Sequence, residues 1–338
     1  MKNGKTFVAK TPATKAFATT TFATLVAGAL TALSMGSAFA QDKATLRLDW
    51  TTLGYHVPFF YGVAKGFYKD AGIDLKVEDG KGSSTGVNLV ANQADDFAFA
   101  DATTAARLVG EGLPVKVVMG VFQRSTLSIF FPKGKMSTPK DLVGKRISSC
   151  AGDGIAVYLP AYYKAIGIKP TDAQSVMMDC SVKYTAVAQG QADAVASYGT
   201  AGKPLMQAVG IKEVGKFDFA DAGVVLPSHG IVVSRERLKS KPDLIKRFVA
   251  ASAKAWEEAI KQPDAAVESV IAARPLLKGK EGSLKDAFLE SQQYIGGTPG
   301  KPFGWQSPDD WNKAVATMVE FAGMKKVDPA EVFTNEFR

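Results

Sequence analysis

The alternation of strand-like and helix-like patterns over residues 45–122 is the feature that most constrains the fold of this chain. The segments follow one another as strand 45–50, helix 58–70, strand 74–78, helix 83–92, strand 97–100, helix 103–110 and strand 116–122. Neighbouring parallel strands need a helix or a long loop between them. The alternation therefore predicts an α/β protein in which helices cover a mainly parallel sheet.

Two short strings recur later in the chain at nearly the same spacing. Residues 71–73 resemble residues 166–168, and residues 90–95 resemble residues 187–193. Each longer string leads into an alanine-rich strand pattern and then a Thr-Ala pair. This repetition predicts two lobes of one architecture; coincidence among common residue types is the alternative.

Extended apolar segments at 125–131 and 230–234 enclose the second half of the pattern. We interpret them as the two crossovers of the chain between the lobes. Lobe one is then discontinuous and comprises residues 41–128 plus 231–338, whereas lobe two comprises residues 129–230.

Residues 1–40 have the three-part pattern of a secretory signal peptide. The start of the chain contains four lysines and no acidic residue, the run 22–33 is apolar, and Ala38-Phe39-Ala40 is a small-x-small cleavage motif. The apolar run is too short for a helix that spans a bilayer. We expect cleavage after Ala40 and export to the periplasm; the alternative is an uncleaved membrane anchor.

The charge balance argues against a nucleic-acid partner. The formal net charge is +8, and four of these charges belong to the lysines of the leader, so +4 remains on residues 41–338. That part contains no basic stripe with interleaved aromatic residues, which nucleic-acid binding favours. Because the whole chain has two histidines and two cysteines, the sequence predicts neither a metal site nor a cofactor.

Export places the two cysteines in an oxidising compartment. Cys150 and Cys180 each follow a strand-like run, at 146–149 and 175–178, with a helix-like stretch at 156–166 between them. If the two runs are adjacent parallel strands, both sulfur atoms lie at carboxyl ends and bridge. Such a disulfide contributes roughly 3–4 kcal/mol in the chain-entropy model. The alternative is a pair of unbonded thiols.

The stretch 50–59 joins the first strand to the first helix and carries the clearest ligand-binding candidates. Trp50, Tyr55 and Phe59 offer flat apolar faces for stacking, and His56 offers a hydrogen bond. In open α/β sheets the ligand lies beyond the carboxyl ends of the strands. The alternative places Trp50 and Phe59 in the core and leaves His56 a surface residue.

Polar side chains at other strand ends are expected on the same rim. They are Asp101, Gln123, Asp153, Asp179 and Tyr198. A helix that begins at Ser83 and Ser84 presents unpaired backbone N–H groups beside two hydroxyls, which suits an anionic or hydrogen-bond-accepting ligand. Simple capping of the helix is the alternative.

Residues 82–86 also match the nucleophile-elbow pattern Gly-x-Ser-x-Gly. The order Ser84, Asp179, His229 fits the chain order of an α/β-hydrolase triad. A His-Gly-Gly oxyanion motif is missing, so we keep a secreted serine esterase as the second alternative to a binding protein.

Five segments together resemble one family of transport proteins. They are 50–58, 66–75, 80–85, 96–101 and 137–145. The chain is similar there to the periplasmic substrate-binding proteins of ABC importers, in the nitrate, sulfonate and taurine group. The branch is the one related to the thiamine-pyrimidine synthases. This resemblance implies a type II two-lobed fold, each lobe a mainly parallel sheet flanked by helices, with a ligand cleft between the lobes. It also implies a non-enzymatic monomer that hands its ligand to an inner-membrane ABC permease.

Within that group, the resemblance implies a planar heteroaromatic or aromatic-acid ligand, such as a pyrimidine precursor or riboflavin. The ligand contacts it implies are at Trp50, Tyr55, His56, Ser83, Ser84, Asp101 and Asp153. The single cysteine of Ser149-Cys150-Ala151-Gly152 departs from the cysteine cluster of the pyrimidine-synthase enzymes, which favours a binder. The first alternative is a nitrate- or sulfonate-type anion binder, for which Arg124 is the candidate cation.

Overall fold

The computed structural model describes residues 41–150, 155–224 and 226–338. The expected signal peptide and Asp153 lie outside the described residues. Within the described part, ten strands follow one another as β1 (Asp42–Arg47), β2 (Ile73–Glu78), β3 (Phe97–Asp101), β4 (Val115–Gly120), β5 (Leu127–Pro132), β6 (Arg146–Ser149), β7 (Gln174–Met177), β8 (Ala194–Tyr198), β9 (Val214–Asp218) and β10 (His229–Ser234).

The helices of the same part lie mostly between consecutive strands or in the C-terminal hundred residues. They are α1 (Val57–Ala64), α2 (Phe67–Asp70), α3 (Ser83–Ala91), α4 (Ala102–Gly110), α5 (Leu159–Ala165), α6 (Lys183–Ala188), α7 (Gly202–Ala208), α8 (Arg235–Ser240), α9 (Pro242–Lys261), α10 (Pro263–Ala273), α11 (Glu281–Ser291), α12 (Pro308–Ala322) and α13 (Pro329–Val332). Short 3₁₀ turns lie at Gly54–His56, Pro139–Leu142, Ala156–Tyr158, Pro170–Asp172, Ala220–Ala222, Pro275–Leu277 and Gln292–Tyr294.

The strands form two sheets with equivalent strand orders. The first sheet has the order β2-β1-β3-β10-β4, and the second has the order β7-β6-β8-β5-β9. In each sheet four strands run in one direction and one strand, β10 or β5, runs against its two neighbours. The predicted α/β architecture with two mainly parallel sheets is therefore confirmed. We use lobe one and lobe two for the parts built on the first and second sheets.

The chain passes between the sheets twice, through residues 121–126 and through residues 219–228. The segments that the sequence pattern assigned to the crossovers are instead the antiparallel strands β5 and β10. A linker and a buried strand are both extended and apolar, so the pattern alone does not separate them. The lobe limits 41–128 plus 231–338 and 129–230 remain a proposal, and each of the two limits lies two residues inside a strand, β5 or β10.

One predicted helix is shorter than expected. The pattern at 58–70 indicated a continuous helix, but α1 ends at Ala64 and α2 begins at Phe67. Gly66, which lies between them, has a φ angle of 76°. An α-helix excludes such a left-handed angle, so the chain turns there.

Aromatic packing between the first sheet and α9 forms the core of lobe one. Phe97 stacks on Phe248 with a centroid distance of 3.7 Å, and Phe99 packs against Trp256 at 6.3 Å. All four rings are buried, and burial of each such side chain contributes about 1.5–3 kcal/mol. This packing fixes β3, which pairs with β1, and thereby the loops at the ends of these strands. Among the described helices, none is long and apolar enough to cross a membrane.

Candidate functional site

A cleft of about 510 Å³ lies between the two sheets. This volume is typical of small-molecule sites. Lobe one lines it with Asp49, Trp50, Thr51, Tyr55 and the loop residues Gly80, Lys81, Gly82 and Ser83. Lobe two lines it with Cys150, Asp179, Cys180, Ser181, Lys183, Tyr184, Ser197, Tyr198, Ala201 and Leu205.

The lining residues follow the carboxyl ends of parallel strands in both lobes. Residues 49–51 follow β1, residues 80–83 follow β2, Cys150 follows β6, and residues 179–181 follow β7. Ligands of open α/β sheets lie beyond these ends, because the loops that leave the strands converge there. The cleft is therefore where the topology places a ligand site.

Aromatic side chains enter the cleft from both lobes. Trp50 and Tyr55 belong to lobe one, and Tyr184 and Tyr198 belong to lobe two. The Tyr184 hydroxyl shares a hydrogen bond of 2.6 Å with the Ser197 hydroxyl, which fixes the ring at the wall. Two opposed sets of flat apolar faces suit a planar aromatic guest.

The predicted disulfide is present and forms part of the cleft wall. Cys150 and Cys180 are bonded, with an S–S distance of 2.00 Å. The bond joins the end of β6 to the loop after β7, and these two strands are parallel neighbours as expected. In that loop, hydrogen bonds from the Ser181 hydroxyl and backbone N–H hold the pKa of the Asp179 carboxyl below its usual range.

Glycines bring the loop after β2 against the loop after β1. A Cβ atom on Gly80 would lie 1.8 Å from the Leu48 carbonyl oxygen. The Gly82 N–H donates to the Asp49 carbonyl at 2.7 Å, and Gly82 has a φ angle of 112°. Ser83 follows directly, and its hydroxyl accepts a hydrogen bond from the Asp101 N–H at 2.9 Å. Close backbone approach thus sets the position where α3 begins at the cleft.

Asp49 and Tyr55 line the cleft in lobe one, and we call them its floor. The buried Asp49 carboxylate binds both histidines of the chain. His56 Nε2 lies 2.7 Å from Asp49 Oδ1, and His229 Nε2 lies 3.1 Å from Asp49 Oδ2. The Tyr55 hydroxyl also donates to Oδ2, at 2.9 Å. The Leu53 N–H donates to His56 Nδ1, so the proton of the neutral His56 ring lies on Nε2.

The charge of this cluster follows from its contacts. Burial by itself raises the pKa of the Asp49 carboxyl, but the charge of His229 and hydrogen bonds from both histidines outweigh it and hold this pKa well below its usual range. Burial and the Asp49 charge raise the pKa of Tyr55, which stays a hydrogen-bond donor. Asp49 is therefore an ionised acceptor at the edge of the cleft.

The structure brings five of the predicted ligand-binding residues into the cleft wall. They are Trp50, Tyr55, Ser83, Asp179 and Tyr198. Their contact with a ligand stays a prediction. The sequence did not indicate Asp49, Ser181 or Lys183, although each follows a strand end closely.

Two predicted site residues have structural roles instead. Phe59 is fully buried and packs edge-on against Phe99 and Trp256, with centroid distances of 5.0 and 5.9 Å. Asp101 caps α4, because its Oδ1 accepts hydrogen bonds from the Thr104 N–H and the Thr103 hydroxyl. Neither residue is part of the cleft lining, because the core holds Phe59 and the start of α4 holds Asp101.

Three further candidates lie away from the cleft lining. His56 is fully buried and contacts the cleft residues Asp49 and Tyr55 from behind the lining. Ser84 is half-buried on α3, and its carbonyl accepts from Asn88 Nδ2. Gln123 borders a separate small cavity, where its Nε2 donates to the Gly296 carbonyl.

The residues of the two alternative hypotheses are not assembled as expected. In the described residues His229 is bonded to Asp49, while Asp179 is bonded to Ser181, so the proposed esterase triad with Ser84 is not connected. Arg124 is exposed, and its Nη2 lies 3.9 Å from Asp221 outside the cleft. The cations that line the cleft are Lys81 and the buried Lys183, whose Nζ donates to the Ala196 carbonyl at 3.1 Å.

The internal repeat contained the signal for Lys183. Ser83 begins α3 after β2, and Lys183 begins α6 after β7, the strand that matches β2 in the second sheet. Extending the repeat to the helix starts would have placed both residues at the cleft. Within the described part of the chain, no group of three His, Cys, Asp or Glu side chains is arranged to hold a metal ion.

Comparison with known proteins agrees with this geometry. The formylaminopyrimidine-binding protein of Halalkalibacterium halodurans is 23% identical over 288 residues, which cover 82% of this chain and 84% of the relative. The riboflavin-binding protein RibY of Chloroflexus aurantiacus is 25% identical over 313 residues, covering 88% and 86%. The yeast 4-amino-5-hydroxymethyl-2-methylpyrimidine phosphate synthase THI5 (Saccharomyces cerevisiae) is 25% identical over 257 residues, covering 70% and 73%.

Solved structures share the fold. The alkanesulfonate-binding protein SsuA from Xanthomonas axonopodis pv. citri, bound to MOPS, superposes with a TM-score of 0.66 at 14% identity, covering 87% of this chain and 99% of that chain. The family model described as NMT1/THI5 like matches residues 54–266. Because this match spans more than half of the chain, the protein belongs to the NMT1/THI5-like family.

Proposed function

We propose that this protein is the solute-binding component of an ABC importer and captures a small planar heteroaromatic ligand by closure of its lobes. The observation that carries the proposal is the pair of aromatic walls, with Trp50 and Tyr55 on one lobe facing the cleft shared with Tyr184 and Tyr198 on the other. A ligand that stacks on both walls binds the closed form better than the open form. Differential affinity of this kind is what drives closure.

Two relatives narrow the ligand class. By their names, one binds formylaminopyrimidine and the other binds riboflavin, and both ligands are planar nitrogen heterocycles. The hydroxyls of Ser83, Ser181 and Ser197 surround the aromatic walls and provide hydrogen bonds for ring nitrogen and oxygen atoms. The proposed ligand is therefore a pyrimidine precursor or a flavin-like compound.

We propose that the ligand leaves the protein chemically unchanged. Some relatives are synthases by name, so this point needs its own support. In the described part of the cleft, the Ser83 hydroxyl accepts a backbone N–H and the Ser197 hydroxyl pairs with Tyr184. The Ser181 hydroxyl donates to the Asp179 carboxylate, and both histidines are bound to Asp49, so none of the three hydroxyls is bonded to a histidine that an Asp holds as a base for it.

A sulfonate-type anion is the second candidate ligand. Lys81 and Lys183 line the cleft, and the SsuA neighbour holds MOPS. A sulfonate needs a cation, whereas a neutral heterocycle does not. Under this alternative Lys183→Met abolishes binding of an alkanesulfonate; under the main proposal Lys183→Met leaves stacking of riboflavin or formylaminopyrimidine in place.

The remaining parts of the proposal concern location and partners. The leader pattern supports export to the periplasm with cleavage after Ala40, and similarity to solute-binding proteins supports handover to an inner-membrane permease. We propose that the protein acts as a monomer. N-terminal sequencing of the exported protein tests the cleavage site, and sedimentation tests the monomer.

The main test combines ligand identification with matched variants. Native mass spectrometry identifies any small molecule that copurifies, and calorimetry then measures affinity for riboflavin, formylaminopyrimidine and an alkanesulfonate. Trp50→Ala is expected to weaken binding about tenfold, because one stacking face contributes about 0.5–1.5 kcal/mol beyond area burial. Trp305→Ala is the control, because Trp305 is outside the cleft lining and its ring contacts the Lys301 ammonium, 5.1 Å from the centroid.

Three outcomes contradict the proposal. One is binding of the alkanesulfonate alone. Another is equal weakening by Trp50→Ala and Trp305→Ala. The third is recovery of an altered ligand by chromatography after incubation.

A further inference from the structure

A continuous chain of buried hydrogen bonds connects the cleft floor to both crossovers. Thr126 lies at the end of the first crossover and Ser228 at the end of the second, and their hydroxyls are bonded to each other. The Ser228 hydroxyl lies 3.0 Å from His229 Nδ1, and His229 Nε2 lies 3.1 Å from Asp49 Oδ2. All four residues are at least 95% buried.

His229 also touches an aromatic cleft residue of each lobe. Its ring centroid lies 5.8 Å from that of Tyr55 in lobe one and 5.2 Å from that of Tyr198 in lobe two. Asp49, at the other end of the chain of bonds, lines the cleft itself. His229 thus lies where the two lobes, the cleft and the second crossover meet.

The directions of these hydrogen bonds depend on one another. The ionised Asp49 carboxylate only accepts, so His229 Nε2 donates to it. His229 Nδ1 then either accepts from the Ser228 hydroxyl, whose oxygen in turn accepts from Thr126, or carries a proton and donates to Ser228, which then donates to Thr126. A shift of Thr126 relative to Ser228 lengthens the hydrogen bond between their hydroxyls. The Ser228 hydroxyl is then no longer held in one orientation toward His229 Nδ1.

The backbones of the crossovers are paired at the same place. The Ser228 N–H donates to the Phe122 carbonyl at 2.8 Å, and the Phe122 N–H donates to the His229 carbonyl at 2.9 Å. These bonds hold Phe122 to the start of β10, whereas the Thr126 carbonyl accepts from the Gly199 N–H of lobe two, so Thr126 and Ser228 are joined across the crossovers by their buried hydroxyl pair. The exposed Arg124–Asp221 pair is a second side-chain link between the crossovers.

We propose that Ser228 and Thr126 are positioning residues that couple the hinge angle to the cleft floor through His229 and Asp49. Occupation of the floor beside Asp49 and Tyr55 then favours one hinge position. This inference deepens the proposed function and rests on it for the ligand, but the coupling is a property of the protein without ligand.

The test measures the distance between the lobes in the ligand-free protein. The native cysteines are bonded to each other, so cysteines introduced at exposed Lys65 of lobe one and Gln189 of lobe two accept spin labels selectively. Ser228→Ala and Thr126→Val each remove one hydroxyl of the link. Ser252→Ala is the matched control, because it removes a buried hydroxyl that is bonded to Tyr68 within lobe one.

We expect both link variants to shift or widen the distance distribution of the full-length protein, and the control to leave it unchanged. Equal distributions for Ser228→Ala, Thr126→Val and Ser252→Ala would overturn the inference. If Ser228→Ala does not fold, Thr126→Val tests the same hydrogen bond by itself, because valine keeps the side-chain volume of threonine.

A second measurement follows the His229 ring, which binds Asp49 at the cleft floor. The chain has two histidines, so the protein labelled with ¹⁵N-histidine and carrying no tag gives two imidazoles. Thr126→Val is expected to shift the His229 nitrogen signals although it does not touch that ring; unchanged signals contradict the coupling. Failure of riboflavin and formylaminopyrimidine to bind would count against the proposed ligand and leave both ligand-free results standing.

Discussion

The two lobes have equivalent strand orders but hold their outer strands differently. In lobe one, the edge strand β2 buries Ile73, Leu75 and Val77 and packs against α2. In lobe two, each of the four residues of the edge strand β7 is exposed or half-exposed. A disulfide at the end of β7 ties this strand to β6. One topology is thus stabilised by packing on one side of the cleft and by a covalent bond on the other.

The two halves of the cleft are also held by different interactions, noncovalent in lobe one and covalent in lobe two. The floor in lobe one rests on a buried charge cluster around Asp49, and the wall in lobe two rests on the Cys150–Cys180 bond and the loop that it restrains. Both halves present two aromatic rings. A similar ligand surface is therefore built from two different kinds of support, which respond to different perturbations.

The largest expected effect comes from the charge cluster. Asp49→Asn removes the carboxylate that both histidines share and leaves their donors without an ionised partner. Breaking a buried, hydrogen-bonded charge pair costs about 3–5 kcal/mol. Urea denaturation at neutral pH measures the loss, with Asp179→Asn, an exposed carboxylate of lobe two, as the control for the charge change.

The pH dependence of this effect has a definite sign. Because the folded-state pKa of Asp49 is lowered, its contribution to stability is full above the usual carboxyl pKa of about 4 and is lost as the pH falls below that value. The stability difference between the wild type and Asp49→Asn is therefore expected to narrow on acidification. A constant difference between neutral pH and pH of about 3 contradicts the assignment of the charge to Asp49.

The second-largest expected loss of stability comes from reduction of the disulfide in lobe two. Reduction of the disulfide, which closes a separation of 30 residues, is expected to lower the free energy of unfolding by about 3–4 kcal/mol. Hydrogen exchange after reduction should accelerate in β6, β7 and the loop after β7, and remain unchanged in β1 and β2. The Cys150→Ser, Cys180→Ser double variant is the control, since a reductant should not alter it; uniform acceleration in both lobes contradicts a local role.

Local sequence patterns were sufficient for the features that depend on neighbours in the chain. Strand ends are marked by the change from an apolar run to polar or glycine residues, so Trp50, Tyr55 and Asp179 were placed at the cleft in advance. The disulfide followed from two cysteines at the ends of strands that are parallel neighbours. These predictions needed topology but not side-chain geometry.

Features that depend on distant packing were not predictable in the same way. Phe59 points into the core because Trp256, almost two hundred residues later, packs against it. His56 faces Asp49, which in turn binds His229 at the start of β10, and no local pattern joins these three residues. The crossovers were misassigned because β5 and β10 are recognised as strands only when their partners are known.

The smallest expected effect compares an ion pair that occurs in both lobes. Arg47 Nε lies 2.8 Å from Asp95 Oδ2 in lobe one, and Arg146 Nη2 lies 3.0 Å from Asp193 Oδ1 in lobe two. Each pair joins the strand next to the sheet edge, β1 or β6, to the last residue of the repeated string. The relative exposures are 24% and 7% in the first pair but 38% and 35% in the second.

Burial decides which of these pairs contributes more to stability. Arg47→Met leaves the carboxylate of Asp95 buried without its partner, whereas water solvates Asp193 after Arg146→Met. We therefore expect a larger fall in urea midpoint for Arg47→Met. Because salt screens exposed pairs more than buried ones, raising the ionic strength should reduce the effect of Arg146→Met more strongly. If the two variants have the same urea midpoint at low salt and again at high salt, the ion pair contributes equally to both lobes. The difference between the lobes is then confined to the edge strands and the cleft.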